Sequence, residues 1–305
     1  MLQLYLPIAE MSVNILTLIA LGGLVGVLSG MFGVGGGFLT TPFFIFIGVP
    51  PTVAVATSAN QIVASSFSGF LAHWRRRNVD IKMGNLLLVG GLVGSTLGVW
   101  LFKWLEALGQ IDLVISLSYV VFLSAIGILM AIESGRAIVK RKKPTNNSHK
   151  RHNALQRLPW RTRFRRSGLY ISIWLPLGIG FGVGVMVSIM GIGGGFFIIP
   201  AMIYIIGMPT SVVVGTSLYQ TMFITANVTL LHAITTQTVD ILLATIVLTA
   251  SVIGAQIGSR WGTKVAPEKL RAMLALIVLS VALKLGYGLL ITPDDLYTLE
   301  ALGAE

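Results

Sequence analysis

The stretch Gly33-Val34-Gly35-Gly36-Gly37-Phe38, with Pro42 beyond it, decides how this chain is read. It returns as Gly191-Ile192-Gly193-Gly194-Gly195-Phe196, with Pro200 beyond it. Both the glycines and the proline are displaced by 158 positions. A glycine inside a helix costs about 1 kcal/mol relative to alanine. Matched clusters between apolar runs therefore predict backbone that is deliberately unwound. Transporters use such breaks to turn backbone groups toward a substrate. Close helix packing through small residues is the competing explanation.

Working outward, each break leads into a short apolar segment, 38–49 and 196–207, that ends in Gly48-Val49-Pro50 or Gly207-Met208-Pro209. Twelve residues at 1.5 Å each reach about 18 Å, roughly half a bilayer core. These are expected to be half-helices, either re-entrant or crossing as short spans. The other apolar segments are 12–30, 52–73, 83–104, 111–139, 169–190, 211–233, 239–262 and 270–292. Most have the roughly 20 residues a transmembrane helix needs. The repeat continues past the glycines. Pro50–Gln61 resembles Pro209–Gln220, and His73, Asp80, Gly94 and Gly98 match His232, Asp240, Gly254 and Gly258. The expected fold is an all-α polytopic membrane protein of two inverted-topology repeats. Its divisions are 1–139, a basic cytoplasmic linker at 140–168, and 169–305. Within the linker, 155–170 suits either a surface helix on anionic lipid or a plain solvated loop.

Composition agrees. Of 305 residues, 54% are hydrophobic and 11% charged, against about 25% charged in soluble domains. The mean hydropathy is +0.84. No cysteine is present, which excludes disulfides, thiolate metal sites and a cysteine nucleophile. The first residues lack the basic region of a secretory signal. A net charge of +11 does not point to nucleic acid, because the basic residues cluster in loops. All but Lys103 and Lys284 fall in 74–82, 136–166 or 259–271. The positive-inside rule puts these loops in the cytoplasm and both termini outside. Equivalent loops then face opposite sides, which is what inverts the halves.

A polar stripe crosses 52–73 at Thr57, Gln61 and Ser68, on one helical face. Thr216, Gln220 and Asn227 repeat it, with Ser58 and Ser217 alongside and Asn60 in the first half only. Such groups can hold an anion's oxygens, or they can serve as interhelical hydrogen bonds. The candidate substrate-binding set is Gly35, Gly36, Gly37, Thr57, Ser58, Asn60, Gln61, Gly193, Gly194, Gly195, Thr216, Ser217, Gln220 and Lys284. Helix ends at the breaks would add partial positive charge. Asp80, Asp112 and Asp240 sit at segment ends, which disfavours a cation site. Lys284 lies within the last span, where an ionisable residue suggests function, although it is close enough to the end to snorkel. His73 and His232, at segment ends, read as interfacial.

Together these features resemble the TauE/SafE sulfite exporters of the toluene-sulfonate uptake permease family. The resemblance rests on the two glycine–proline elements, on Ala56-Thr57-Ser58 and Gly215-Thr216-Ser217, and on the basic central loop. It implies transport of small sulfur-containing anions such as sulfite, sulfoacetate or organosulfonates, coupled to an ion gradient such as protons. A cysteine relay, used by some relatives for thiosulfate, is excluded. A passive anion channel or a carrier of other small organic anions remains the alternative. No catalytic, phosphate-loop, cofactor or metal motif accompanies these features. The expected partners are the anion, the coupling ion and the lipid bilayer of the cell membrane. The oligomeric state is left open.

Overall fold

The computed structural model describes residues 3–32, 37–139, 160–164, 166–262 and 267–290. Gly33, Gly35, Gly36, positions 140–159 of the linker and both chain ends lie outside the described residues.

The chain begins with strands β1 (Gln3–Leu6) and β2 (Met11–Asn14), followed by α1 (Ile15–Phe32). After the first break come α2 (Gly37–Phe46), α3 (Pro51–Arg75), α4 (Ile81–Ala107) and α5 (Ile111–Val139). Strands β3 (Arg161–Phe164) and β4 (Leu169–Ser172) open the second half, followed by α6 (Trp174–Met190). The second break leads into α7 (Gly195–Pro200), which continues as a π-helical turn, Ala201–Ile206. Then come α8 (Thr210–Thr235), α9 (Ile241–Gly262) and α10 (Pro267–Leu290). The expected half-helices are present as α2 and α7 with its turn. Pro50 and Pro209 end the preceding segments and pre-set the backbone for α3 and α8, as proline does at a helix start.

The hairpins differ from the expectation. β1 pairs antiparallel with β2 from Gln3↔Asn14 to Leu6↔Met11, and β3 with β4 from Arg161↔Ser172 to Phe164↔Leu169. Every strand position is displaced by 158, the same offset as the glycines, so the hairpins belong to the repeat. The described part of 155–170 is thus neither a surface helix nor a plain loop. Phe164 is buried while its neighbour Arg163 is exposed, the alternation of a strand. Gly168, at φ +66°, supplies the left-handed turn residue.

The halves are not packed each on itself. α1 packs along α9, and α6 packs along α4. The seams are lined by small residues on one helical face. A methyl on Gly22, Gly26 or Gly30 would fall 2.9, 2.2 or 2.2 Å from the carbonyl oxygen of Val247, Ser251 or Ala255. On the other seam, a methyl added to Gly90 or Gly94 would fall 2.2 or 2.1 Å from the Leu177 or Phe181 oxygen. These are backbone-to-backbone contacts of the kind membrane helices use where lipid removes any hydrophobic drive.

Among the described residues, four helices are long and apolar enough to cross a membrane: Ile81–Ala107, Ile111–Ile132, Ile241–Gly258 and Ala272–Leu290. α3 and α8 are as long, but their polar stripes lower their hydropathy. Large apolar side chains face outward along these helices, among them Val93, Leu97, Leu117, Ile253 and Leu276. So much contiguous exposed apolar surface belongs in lipid. Trp100, Trp104, Trp174 and Trp261 stand exposed near helix ends, where aromatic rings mark the membrane interface. The chain is a multi-pass membrane protein.

Candidate substrate site between the halves

The second break starts at Gly191, left-handed at φ +63°, whose N–H donates to the Val187 carbonyl at 2.8 Å. The last carbonyls of α6 lose their intrahelical partners there, and first-half side chains take them. The Tyr119 hydroxyl of α5 donates to the Met190 carbonyl at 2.5 Å. Ser58 of α3 donates to the Gly191 carbonyl at 3.3 Å and shares a 2.5 Å hydrogen bond with Thr41 of α2. A methyl on Gly191 would lie 2.5 Å from the Val55 oxygen. The break is therefore seated on α3, the core helix of the other half.

The residues that follow the first break also meet the second. A methyl on Gly37 would lie 3.2 Å from the Gly193 nitrogen and 2.0 Å from Ile62 Cδ1. Ile62 lies equally close to Gly193, at 2.5 Å through Cγ2. Phe38 and Phe196, the first residues past the two breaks, stack face to face with centroids 4.6 Å apart and planes 5° apart. Residues 158 positions apart are thus brought into contact at the centre of the molecule.

Gln61 and Gln220 flank this crossing. Both are buried, Gln61 beside Ile62 on α3 and Gln220 beside Gly194, whose added methyl would lie 3.5 Å from Gln220 Nε2. Among the described residues, Oε1 of Gln61 and both Oε1 and Nε2 of Gln220 have no hydrogen-bond partner. The Thr221 hydroxyl, 3.3 Å from the same Gly194 position, also has none. Buried polar groups are nearly always paired, so four such atoms around one break are a concentration of unused hydrogen-bonding capacity. The buried carboxylates among the described residues lie elsewhere. Asp80 caps α4 by accepting from Met83 N, and Asp240 caps α9 by accepting from Leu242 N and Leu243 N.

The remaining predicted residues divide. Thr57 and Thr216 are brought together with the opposite half, but as anchors. Thr57 Oγ1 accepts from the Asp240 N–H at 3.1 Å, and Thr216 Oγ1 from the Asp80 N–H at 2.9 Å. The hairpins close the same joints. Ile8 N donates to Asp240 Oδ2 at 3.4 Å and Ser167 N to Asp80 Oδ2 at 3.2 Å. Ser217 bonds within its own helix, to the Val214 carbonyl. Asn60 lines a small cavity with Gln61. Gly37, Gly193, Gly194 and Gly195 lie at the crossing and are buried, Gly193 and Gly194 in the gap after α6 and Gly195 as the first residue of α7.

Lys284 is not brought to the glutamines. It is exposed, with Nζ 4.1 Å from the ring centroid of Phe46 at the far end of α2. That end is about 13 Å along the helix from Gly37. His232 is not interfacial either. It is fully buried, with Nε2 3.2 Å from the Ser188 carbonyl and Phe102 packed edge-on. Sequence reasoning missed Tyr119, Thr41 and Thr221. Thr221 sits beside Gln220, but its repeat partner is Ile62, so matching the halves hides it.

Swapped helix pairs, short helices that meet at Phe38 and Phe196 and unsatisfied amides beside them define a multi-pass membrane protein built from an internal repeat. The chain belongs to the TauE/SafE sulfite exporter family, whose profile matches residues 18–285. It is 31% identical over 278 residues to a probable membrane transporter protein, YjnA, of Bacillus subtilis (strain 168), covering 90% of this chain and 100% of that one. A second Bacillus subtilis (strain 168) protein, the probable membrane transporter YunE, is 25% identical over 285 residues, or 88% of this chain and 96% of the other. The sulfite exporter TauE/SafE family protein 3 of Arabidopsis thaliana is 30% identical over 113 residues, 35% of this chain and 23% of that protein. No solved structure matches. Family membership makes the chain a membrane transporter and not an enzyme.

Proposed function

We propose that this protein exports small sulfur-containing anions, such as sulfite, sulfoacetate or related organosulfonates, by alternating access around the crossing of the two breaks. The observation that carries this reading is the pair Gln61 and Gln220, repeat-equivalent buried amides with unpartnered atoms beside the glycine backbone. An oxyanion's oxygens would accept from Gln220 Nε2 and the Thr221 hydroxyl, while the unpartnered Oε1 atoms of Gln61 and Gln220 are acceptors that a protonated species such as bisulfite, or an accompanying water, would satisfy. The partial positive charge at the N-terminal end of α2 favours it further. Among the described residues, the buried carboxylates Asp80 and Asp240 are engaged as helix caps away from the crossing.

The halves are inverted in this reading, with 140–168 as cytoplasmic linker and both termini outside. The hairpins support it: residues 3–14 carry no Lys or Arg, while Arg161, Arg163 and Arg166 lie in the second hairpin. Arg166 Nη1 donates to the Val79 carbonyl at 2.7 Å, which gathers the basic residues on the 74–82 side. Equivalent hairpins would then lie on opposite faces. A proton or other ion gradient would drive export.

A flux screen in proteoliposomes tests the proposal, with sulfite, sulfoacetate, thiosulfate and simple carboxylates under imposed pH gradients. Saturable, gradient-dependent flux of sulfite or a sulfonate supports it. Flux confined to carboxylates would move the substrate to other organic anions, and fast unsaturable flux would make the protein a channel.

A further inference from the structure

We propose that this conformation admits the anion to Gln61 through the seam between α3 and α9, where Asn60 and Thr245 form its first polar contacts, and that Tyr219 latched onto Asn85 shuts the equivalent seam on the other side. The proposal rests on the carrier reading above. It comes from comparing the two seams position by position.

Between α3 and α9 lies a cavity of about 130 Å³. A water's share of liquid volume is about 30 Å³, so a four-atom oxyanion fits. Asn60, Gln61 and Thr245 contribute its polar groups, and Ala64 and Ala244 keep it open by being small. Thr245 also lines a larger cavity, of about 540 Å³, which reaches Pro7 and Ile8 of the first hairpin. The two cavities share Thr245 in their linings, one on the side of the hairpin and the other on the side of Gln61.

The repeat-equivalent seam lies between α8 and α4. There Tyr219 stands in place of Asn60, Phe223 in place of Ala64, Gly84 in place of Ala244 and Asn85 in place of Thr245. Rings stand where Asn60 and Ala64 were, while Ala244 gives way to a still smaller glycine. Tyr219 packs edge-on against Phe223, with centroids 5.4 Å apart, and at a tilt against Phe70 at the same separation. Its ring lies over Gly84, where an added methyl would be 2.8 Å from Cδ1. Its hydroxyl donates to Asn85 Oδ1 at 2.8 Å, tying α8 to α4. Gln220 behind it is fully buried and unpartnered, while Gln61 adjoins a cavity. A symmetric repeat carrying one open seam and one filled seam is what one state of an alternating carrier requires. The filled seam begins beside Lys82 and the basic loop, so the closed side is the 74–82 face.

The absence of native cysteines permits a matched test in the full chain. Leu248 lines the open cavity, and Leu88 is its repeat equivalent. Leu248→Cys and Leu88→Cys are each treated with an impermeant maleimide, in spheroplasts to reach the hairpin face and in inverted vesicles to reach the basic face. Sulfoacetate serves as protectant because, unlike sulfite, it does not consume maleimides. Leu248→Cys should label from the hairpin face, and sulfoacetate should slow it. Leu88→Cys should resist labelling from the basic face. Adding Tyr219→Phe, which keeps the ring and loses the hydroxyl, should raise that rate about fivefold, the population shift for one net hydrogen bond. Equal labelling of Leu88→Cys and Leu248→Cys, or no effect of Tyr219→Phe, overturns the latch. If the cysteine-free parent binds sulfoacetate by calorimetry but Leu248→Cys is unprotected, the first-contact site is wrong and the carrier reading stands. If the parent binds neither sulfoacetate nor sulfite, the carrier reading itself fails and takes the site with it.

Discussion

Replacing Gln220 by leucine separates a binding role from a structural one by the sign of its effect on stability. In the protein alone, both amide atoms of Gln220 are buried and lack partners. An unsatisfied buried polar group costs about 1–3 kcal/mol. Leucine has nearly the same volume and carries no such cost, so Gln220→Leu should stabilise the protein by about 1–3 kcal/mol. A hydrogen bond to a charged ligand is worth about 1.5–3 kcal/mol, which converts to roughly a 10- to 150-fold loss of anion affinity. The assay pairs thermal unfolding in detergent with calorimetric titration of sulfite. The expected result is a raised Tm without sulfite and a lost sulfite-induced rise. A lowered Tm with unchanged affinity would refute the reasoning, because it would make Gln220 an interhelical hydrogen bond.

Other expectations follow from single contacts. Gly26→Ala, whose methyl would lie 2.2 Å from the Ser251 oxygen, should lower thermal stability by about 1–3 kcal/mol. Gly23→Ala on the same helix meets nothing within 4 Å and should be neutral or stabilising by up to about 1 kcal/mol; equal effects of the two would contradict the seam. Thr57→Val and Thr216→Val should each cost about 1–3 kcal/mol by stranding the Asp240 or Asp80 N–H, read by thermal melts in detergent. Lys284→Met should leave sulfite affinity unchanged and lose about 0.5–1 kcal/mol of stability with its Phe46 contact. A tenfold drop in affinity would return Lys284 to the site. Asn78→Cys should label only from the cytoplasmic side, and labelling from outside would overturn the inverted arrangement.

Much of the fold was legible because its signals are local. Glycine clusters and Gly-x-Pro turns mark the breaks and the half-helices wherever they occur, and their common offset exposes the repeat. The hairpins were not legible. Strands of four residues, one of them carrying two arginines, give no apolar period strong enough to distinguish from a loop. The exchange of partners between halves was not legible either. Thr57 meets Asp240 across 183 positions, and nothing near Thr57 in the sequence distinguishes an anchor from a ligand. Gln61 and Gln220 were legible as a matched pair, but matching is blind to asymmetry. It passed over Thr221, paired with Ile62, and Tyr219, paired with Asn60, where the two halves differ in chemistry. Lys284 draws attention by its charge, yet its exposed side chain meets the ring of Phe46 at the end of α2.

The central claim is that one site, shared by both halves, carries a sulfur oxyanion by alternating exposure. Radiolabelled sulfite counterflow measures this most directly. Proteoliposomes loaded with unlabelled sulfite should accumulate external label transiently above equilibrium, and sulfoacetate inside should substitute for sulfite. The Gln61→Leu/Gln220→Leu protein should show neither effect. Label that equilibrates without overshoot, or counterflow that survives loss of both glutamines, would contradict the account.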